Sequence, residues 1–347
     1  MNLNRDIVSK KLEVSDELIR NLDQLNILKH NIKKFYNIEF SRYFFPNSYS
    51  FTAKKVIIQN LKDKKFYFLK CKPQYASDCN SLRISALFQN EVNKSLGLAP
   101  SIINTLSGNN FAFWNESYFF LTEFIAGKEY TADMLQARNV VICLAQIHKL
   151  GLTIKHDFTC PPIQLHNTNL GLEQSVLKLN FKNDNLAQNV FYLLKKLNIE
   201  NKLSNPSCIG LIHGDPAPFN IVFSDNNQVQ VFNDFDNCCF GEIIQDLAAC
   251  ILSFSGINYY ANTSSLNIPI QTKLNIDMAH LMLKDYISEN QDIKNDLRLL
   301  GNALILSWVE LMYLGMLRGD FEPKDILNAQ DFVYNIRDSV NQILNNL

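Results

Sequence analysis

Residues 211–222 read Leu211-Ile212-His213-Gly214-Asp215-Pro216-Ala217-Pro218-Phe219-Asn220-Ile221-Val222, and residues 232–235 read Phe232-Asn233-Asp234-Phe235. Short apolar runs flank each polar stretch, which predicts that Asp215 and Asn220 share a loop between strands and that Asp234 ends the next strand. We therefore expect three oxygen-bearing side chains to converge. Phosphoryl transfer requires such a group, because one carboxylate orients the attacking hydroxyl while a carboxylate and an amide oxygen hold Mg²⁺ on the nucleotide phosphates.

The order and spacing of these residues resemble the superfamily of aminoglycoside phosphotransferases, choline kinases and type II homoserine kinases, which has the protein-kinase-like fold. In that superfamily the catalytic loop reads His-Gly-Asp-x-x-x-x-Asn. A strand ending in Asp-Phe or Asp-Trp follows it, and then a Gly and the triplet Asp-Leu-Ala. The matching residues here are His213-Gly214-Asp215, Asn220, Asp234-Phe235, Gly241 and Asp246-Leu247-Ala248.

The resemblance implies a role for each matched side chain. Asp215 is implied to be the catalytic aspartate, and His213 to support the loop through hydrogen bonds. Asn220 and Asp234 are implied to bind Mg²⁺. Asp246 begins the next predicted helix, and we expect it to have a structural role.

A lysine on a strand of the N-terminal half is implied to meet the α- and β-phosphates, with a glutamate on the next helix as its ion-pair partner. Lys70 and Lys72 are both candidates, because side chains alternate along a strand and these two share one face. Pro73 favours Lys70, since it suggests that the strand already ends at Lys72. Glu91 is the only acid between residues 81 and 96.

Residues 121–127 resemble the hinge of the family, whose backbone would hydrogen-bond adenine at Thr122, Glu123 and Phe124. Residues 144–148, which end in His148, resemble the Leu-x-x-Leu-His helix found after that hinge.

The chain departs from the family pattern at two places. The turn that would cover the nucleotide is 46–50, with Ser48 as a cofactor contact, and it contains no glycine to let backbone amides approach phosphate closely. This leaves both ATP and GTP open as the nucleotide. Asn233 stands where an apolar residue is usual.

The predicted elements describe an α+β chain with the two-lobe protein-kinase-like fold. Residues 1–121 would form a nucleotide-binding lobe of antiparallel strands with one internal helix, 122–127 a hinge, and 128–347 a helical lobe with the catalytic loop and substrate site. Turn signals and apolar periodicity predict further elements. They include a strand at 102–106, a helix at 132–150 ended by Gly151, and helices at 293–318 and 323–346.

Composition excludes several classes of protein. The 347 residues include 33 Lys and Arg and 34 Asp and Glu, for a net charge of −1, so no positive field attracts nucleic acid or an anionic membrane. The opening residues are polar, and Asn302 and Glu310 interrupt the longest apolar stretch. We therefore expect a cytoplasmic protein. Its eight cysteines show no Cys-x-x-Cys pair, which argues against a zinc site.

The favoured hypothesis is an ATP- or GTP-dependent, Mg²⁺-dependent kinase that phosphorylates a hydroxyl of a small molecule. A protein substrate is less favoured, because no long insertion separates Asp234 from Asp246. The alternative is a non-catalytic nucleotide-binding protein of the same fold. Residues 203–272 contain acids but no Lys or Arg, and Asp236 could face the acceptor. Neutral or cationic acceptors such as aminoglycosides, amino sugars and amino alcohols are therefore expected.

Overall fold

The computed structural model describes residues 22–44, 54–74, 79–154, 185–260, 269–318, 321–345 and 347. The chain divides into two compact units, Met1–Ala126 and Gly127–Leu347. We call them the N-terminal unit and the C-terminal unit.

The N-terminal unit is built on a five-stranded antiparallel sheet with the strand order β1-β2-β3-β5-β4. Its described elements are α1 (Leu22–Tyr36), β1 (Phe40–Phe44), β2 (Lys54–Asn60), β3 (Phe66–Pro73), α2 (Cys79–Leu96), β4 (Ala112–Trp114) and β5 (Ser117–Glu123). Helix α1 buries Ile32 against the sheet residues Ile58, Leu69 and Leu121. The amphipathic pattern of α1 thus supplies one layer of the core and the sheet supplies the other.

One strand predicted in this unit does not form. In the segment 102–106, only Ile102 pairs with the sheet, through an isolated bridge to Thr122. Thr105 begins a tight turn, in which its hydroxyl accepts from the Asn109 N–H at 3.0 Å and its carbonyl accepts from the Gly108 N–H at 2.9 Å. These local hydrogen bonds compete with the pairing of this segment to the sheet. The edge strand β4 forms further along the chain instead.

The C-terminal unit is mainly helical. Its described elements are α3 (Met134–Thr153), α4 (Asn185–Glu200), β6 (Ile209–Ile212), β7 (Ile221–Phe223), β8 (Val229–Phe232), β9 (Cys239–Glu242), α5 (Ile243–Ser255), β10 (Gly256–Tyr260), β11 (Pro269–Leu274), α6 (Ile276–Glu289), α7 (Leu300–Arg318), α8 (Pro323–Asn328) and α9 (Asp331–Asn345). The antiparallel pairs are β6 with β9, β7 with β8, and β10 with β11.

Two predicted helices are interrupted. The segment predicted as 293–318 begins as 3₁₀ turns over Gln291–Leu299 and becomes helical only at α7. In these turns the Asp296 carboxylate accepts hydrogen bonds from the N–H groups of Ser207 and Cys208 at 2.8 Å, so it is tied to the start of β6. The last predicted helix is split into α8 and α9 after Asn328.

The stretch Gln291–Met316 is long and apolar enough to cross a membrane by length and composition, with a mean hydropathy of 1.5. Within the protein, 67% of its most apolar window is buried, as in the core helix of a globular fold.

Gly151 does not end helix α3, which continues to Thr153. A Cβ atom at Gly151 would lie 2.1 Å from the carbonyl oxygen of Leu211 in β6. The glycine therefore lets the helix approach the strand that leads into the catalytic loop.

We expect Gly151→Ala to lower the free energy of unfolding by about 3 kcal/mol, because the backbone of β6 would have to move. Gly301→Ala is the matched control, since the nearest atom to a Cβ there is Val340 Cγ2 at 3.9 Å. That variant should be neutral or slightly stabilising. Urea unfolding measures both, and equal stability of the two variants would contradict the role of Gly151.

Candidate active site

The predicted catalytic loop lies between β6 and β7, and His213 is its buried centre. The His213 Nδ1 accepts the Asp215 N–H at 3.2 Å, so the proton of the neutral ring is on Nε2, which donates to the Asn233 carbonyl at 3.0 Å. Burial lowers the pKa of His213 below its ordinary value, which also favours the neutral ring. His213 thus links the catalytic loop to the segment that carries Asp234.

Asp246, in the first turn of α5, holds the backbone of this loop. Its Oδ1 accepts the Gly214 N–H at 2.9 Å, and its Oδ2 accepts the His213 N–H at 3.1 Å. The Nε2 of His148 lies 2.9 Å from the same Oδ2. Burial alone would raise the pKa of Asp246, but the hydrogen bond from His148, together with these backbone donors, holds it below its usual value. The expected structural role of Asp246 is therefore anchoring of the loop.

Asp215 and Asn220 are brought together by one side-chain amide. The Asn220 Nδ2 donates to both the backbone oxygen and the Oδ2 of Asp215, each at 2.9 Å. Burial raises the pKa of Asp215 to about 7, and the negative charges of Asp234 and Glu310 act in the same direction. The carboxylate is consequently a better proton acceptor than an ordinary aspartate.

Asp234 has a left-handed backbone conformation, with φ 64° and ψ 59°, and it precedes the 3₁₀ turn Phe235–Asn237. Such a conformation is uncommon outside glycine and is frequent at functional sites. Gly214 also has positive φ, at 81°, and a Cβ there would lie 2.2 Å from the Asn237 carbonyl oxygen. Close backbone contact therefore fixes the catalytic loop against the segment after β8.

Asn233, the apparent departure from the family pattern, contributes through its backbone. Its N–H donates to the Asn220 carbonyl at 2.6 Å, and its carbonyl accepts the His213 ring proton. Neither contact depends on the side chain, so an asparagine is tolerated at this position.

The donor set at this site fits Mg²⁺. Because the Asn220 Nδ2 is engaged by Asp215, its Oδ1 is the atom left for a metal, and the Asp234 carboxylate would supply a second hard oxygen ligand. The described residues contain no cluster of three or more His, Cys, Asp or Glu side chains that could hold a metal. Mg²⁺ usually takes its remaining ligands from phosphate and water.

The family model of the phosphotransferase enzyme family matches residues 89–263, which is just over half of the chain and includes the whole catalytic loop. The chain belongs to this family. The resemblance drawn from the sequence is thereby confirmed. No curated protein matches the chain.

Several solved kinase structures have the same fold as this chain. An amicoumacin kinase in complex with AMP-PNP, Ca²⁺ and Ami is 13% identical, with a TM-score of 0.66 over 94% of this chain and 96% of that one. Choline kinase from Cryptosporidium parvum Iowa II is 13% identical, with a TM-score of 0.60 over 98% and 95%. A microcompartment-associated aminopropanol kinase is 14% identical, with a TM-score of 0.60 over 91% and 95%. The predicted α+β, protein-kinase-like fold is confirmed.

The length of strand β3 does not decide which of its two lysines would contact the nucleotide phosphates. Strand β3 continues to Pro73, which pairs with Ser117, so the expectation that the strand ends at Lys72 is wrong. Proline is tolerated there because it is the last residue of the strand. Lys70 and Lys72 are both buried, with 7% and 5% exposure. Both remain candidates.

Glu91 and the two candidate lysines all lie in described parts of the chain. Among the described residues, no ion pair joins Glu91 to Lys70 or to Lys72. Glu91 lies three residues after the fully buried Phe88 on α2 and is itself only partly buried. Ser48, the predicted contact in the covering turn, lies outside the described residues.

The residues predicted to form the hinge differ in whether their backbone N–H groups are already hydrogen-bonded. The Glu123 N–H donates to Ser101 O at 2.9 Å and the Phe124 N–H donates to Phe66 O at 3.1 Å, so neither is available to adenine. Thr122 lies within β5. In the described part of the chain, Ile125 is the first residue after the strand whose N–H has no acceptor. The structure thus adds Ile125, which the sequence interpretation did not single out, as the candidate donor.

Two further residues at the site were missed by sequence reasoning. Glu310 on α7 is close enough to raise the pKa of Asp215, and a single acid on an apolar helix gives no motif. Phe219 lies between Asp215 and Asn220 with 77% of its surface exposed. Asp236, the predicted substrate contact, lies in the turn after Asp234 and is partly exposed.

We expect Asp234→Asn to weaken Mg²⁺-dependent nucleotide binding by at least about tenfold, because a charged metal ligand becomes neutral. Asparagine tolerates the left-handed conformation of this position, so the backbone should be preserved. Asp236→Asn, two residues further on, is the matched control and should bind Mg-nucleotide as the wild type does. Calorimetry at low Mg²⁺ measures the difference, and equal affinities for all three proteins would exclude Asp234 as a ligand.

Proposed function

We propose that this protein is a Mg²⁺-dependent kinase that transfers the γ-phosphoryl group of ATP or GTP to a hydroxyl of a small molecule. The observation that carries the proposal is the hydrogen bond from the Asn220 amide to the proposed base Asp215, with the charge of Asp234 close enough to act on the same carboxyl. This bond would leave the Asn220 oxygen available to a metal. Family membership supports the phosphotransfer chemistry.

In the proposed reaction each side chain has a separate task. The Asp215 Oδ2 is occupied by the Asn220 amide, which leaves Oδ1 to accept the hydrogen bond of the acceptor hydroxyl and then its proton. Asn220 and Asp234 would hold Mg²⁺, which supplies charge neutralisation at the phosphates when it is bound. Asp246 and His213 keep the loop in place and take no part in proton transfer.

The charges around Asp215 support a neutral or cationic acceptor. The acids Asp234, Glu310 and Asp246 all raise its pKa, which places three further negative charges near the proposed base. Residues 203–272 contain no Lys or Arg. Bound Mg²⁺ would offset the charge of Asp234, but Glu310 lies on a different element, α7, and its charge would remain. A carboxylate or phosphate on the acceptor would be repelled there.

Several neighbours in fold are kinases of amines, among them the aminopropanol kinase and an ethanolamine kinase from Plasmodium vivax. We propose amino alcohols, amino sugars and aminoglycosides as the acceptors to test first on this chain.

Asp215→Asn should reduce turnover by about 10²-fold to 10⁴-fold, because the general base is lost. The affinity for Mg-nucleotide should stay within a few-fold of wild type, since the hydroxyl is the partner of this side chain. A nucleotide-coupled screen of hydroxylated amines, with wild type and variant in parallel, makes the measurement. Asp225→Asn, whose side chain is 93% exposed, is the control.

Phosphate transfer by Asp215→Asn at the wild-type rate would reject the assignment of the base. The non-catalytic alternative would be favoured if the wild-type protein binds Mg-nucleotide but neither transfers phosphate to any acceptor nor slowly hydrolyses the nucleotide.

Glu310→Gln should lower the preference for a cationic over a neutral acceptor by about fivefold in kcat/KM, the effect of a partly exposed charge pair. The loss should shrink at high salt, because screening weakens the attraction. Glu200→Gln, on the exposed face of α4, controls for net charge. A best acceptor with net negative charge, or an unchanged preference in Glu310→Gln, would contradict the electrostatic argument.

A further inference from the structure

A buried chain of side chains connects helix α6 to the catalytic loop. The Tyr286 hydroxyl on α6 lies 2.6 Å from the Nδ1 of His148 on α3. The opposite ring nitrogen of His148 lies 2.9 Å from Asp246, which accepts the N–H groups of His213 and Gly214. Tyr286 and His148 are 0% exposed and Asp246 is 2% exposed. Solvent therefore does not substitute for any partner in the chain.

The far end of this chain lies outside the part that the family model matches. That match ends at residue 263, whereas Tyr286 and Asn290 follow in α6 and at its C-terminal end. The Asn290 Nδ2 lies 3.4 Å from the Tyr286 hydroxyl oxygen and can donate to it. The catalytic loop is thus linked to a helix that lies beyond the segment matched by the family model.

The direction of each hydrogen bond follows from the chemistry of its ends. Asp246 is a carboxylate that only accepts, so the His148 Nε2 must carry a proton to bond with it. The Asn290 Nδ2 donates to the Tyr286 oxygen, which leaves the hydroxyl proton for the His148 Nδ1, so we assign this nitrogen as the acceptor. Burial raises the pKa of Tyr286 far above its ordinary value, so its hydroxyl stays protonated and supplies the donor. The hydrogen bond at one ring nitrogen thereby selects the proton position at the other.

Loss of the hydroxyl would leave the Nδ1 of His148 buried without a partner. An unsatisfied buried acceptor is destabilising, and a shift of the ring proton to Nδ1 would avoid that loss. The bare Nε2 would then face the Asp246 carboxylate, and the third hydrogen bond of this carboxylate would be lost. Its two remaining donors are the backbone N–H groups next to Asp215.

We propose that Tyr286 is a positioning residue for the catalytic loop: its hydroxyl fixes the proton of His148 on Nε2, so that His148 and Asp246 together hold the backbone that places Asp215. The inference rests on the proposed function for its effect on turnover, but not for its effect on the loop itself.

Tyr286→Phe tests the proposal, because it removes the hydroxyl and keeps the ring that packs at 5.8 Å from the His148 ring. We expect kcat to fall about tenfold to hundredfold through displacement of the base, with KM for the nucleotide within twofold of wild type. Hydrogen exchange at the Gly214 amide should accelerate. Tyr130→Phe is the matched control, since its hydroxyl donates to Phe254 O at 3.2 Å and has no contact with the chain of residues described here.

Histidine ¹⁵N spectra provide a readout that a loss of packing would not change. In the wild type they should show His148 with its proton on Nε2, and in Tyr286→Phe a mixture of tautomers. A wild-type His148 protonated on Nδ1 alone would overturn the proposal, even if the variant failed to fold. A kcat and a Gly214 exchange rate equal to those of Tyr130→Phe would overturn it as well.

The exchange and ¹⁵N measurements need no acceptor. A protein without phosphotransferase activity would therefore reject the proposed function and still decide whether Tyr286 orders the loop.

Discussion

The buried carboxylate of Asp246 is the constraint on which the rest of the site depends. A charged group removed from water costs several kcal/mol unless its oxygens are hydrogen-bonded, and Asp246 has three donors: two backbone N–H groups of the catalytic loop and His148. The carboxylate is stable only while the loop keeps its backbone conformation. The side chain of Asp246 consequently holds helix α5, helix α3 and the loop together. The position of Asp215 depends on these contacts.

The catalytic loop could be predicted from sequence because its contacts are local. His213, Asp215 and Asn220 bond to one another within eight residues, so their spacing already encodes their geometry. The expectations for Gly151 and Pro73 are wrong because these residues depend on contacts with residues distant in sequence, Leu211 and Ser117. A glycine that ends a helix and a glycine that packs against a strand look alike in sequence, and only the approach of Leu211 separates them. The predicted hinge shows the same limit, since the N–H of Glu123 donates to the Ser101 carbonyl, which no local pattern pairs with it.

Backbone conformation carries as much of this site as side-chain chemistry does. Asp234 combines a left-handed conformation with a carboxylate, and only a few residue types satisfy the first requirement at low cost. The conformational requirement at Gly214 is stricter, because this residue has positive φ and also lies against the Asn237 carbonyl. Asn233, between β8 and Asp234, contributes backbone groups only, so its departure from the family pattern has no consequence for the hydrogen bonds. A sequence motif thus reflects both the backbone conformation that a position requires and the chemistry of its side chain, and only the second concerns reactivity.

Helices α6 and α7 lie after the segment that the family model matches, which ends at residue 263. Glu310 on α7 and Tyr286 on α6 both act on the catalytic loop, one through its charge on Asp215 and the other through His148. The phosphotransfer chemistry requires the same few oxygen atoms in any member, so the loop is constrained in sequence. The surrounding helices are constrained only by packing, and an acid or a hydroxyl placed on them can change acceptor preference or loop order without disturbing the loop sequence. Acceptor specificity within such a fold can therefore change through the helices around the loop, which carry no sequence motif.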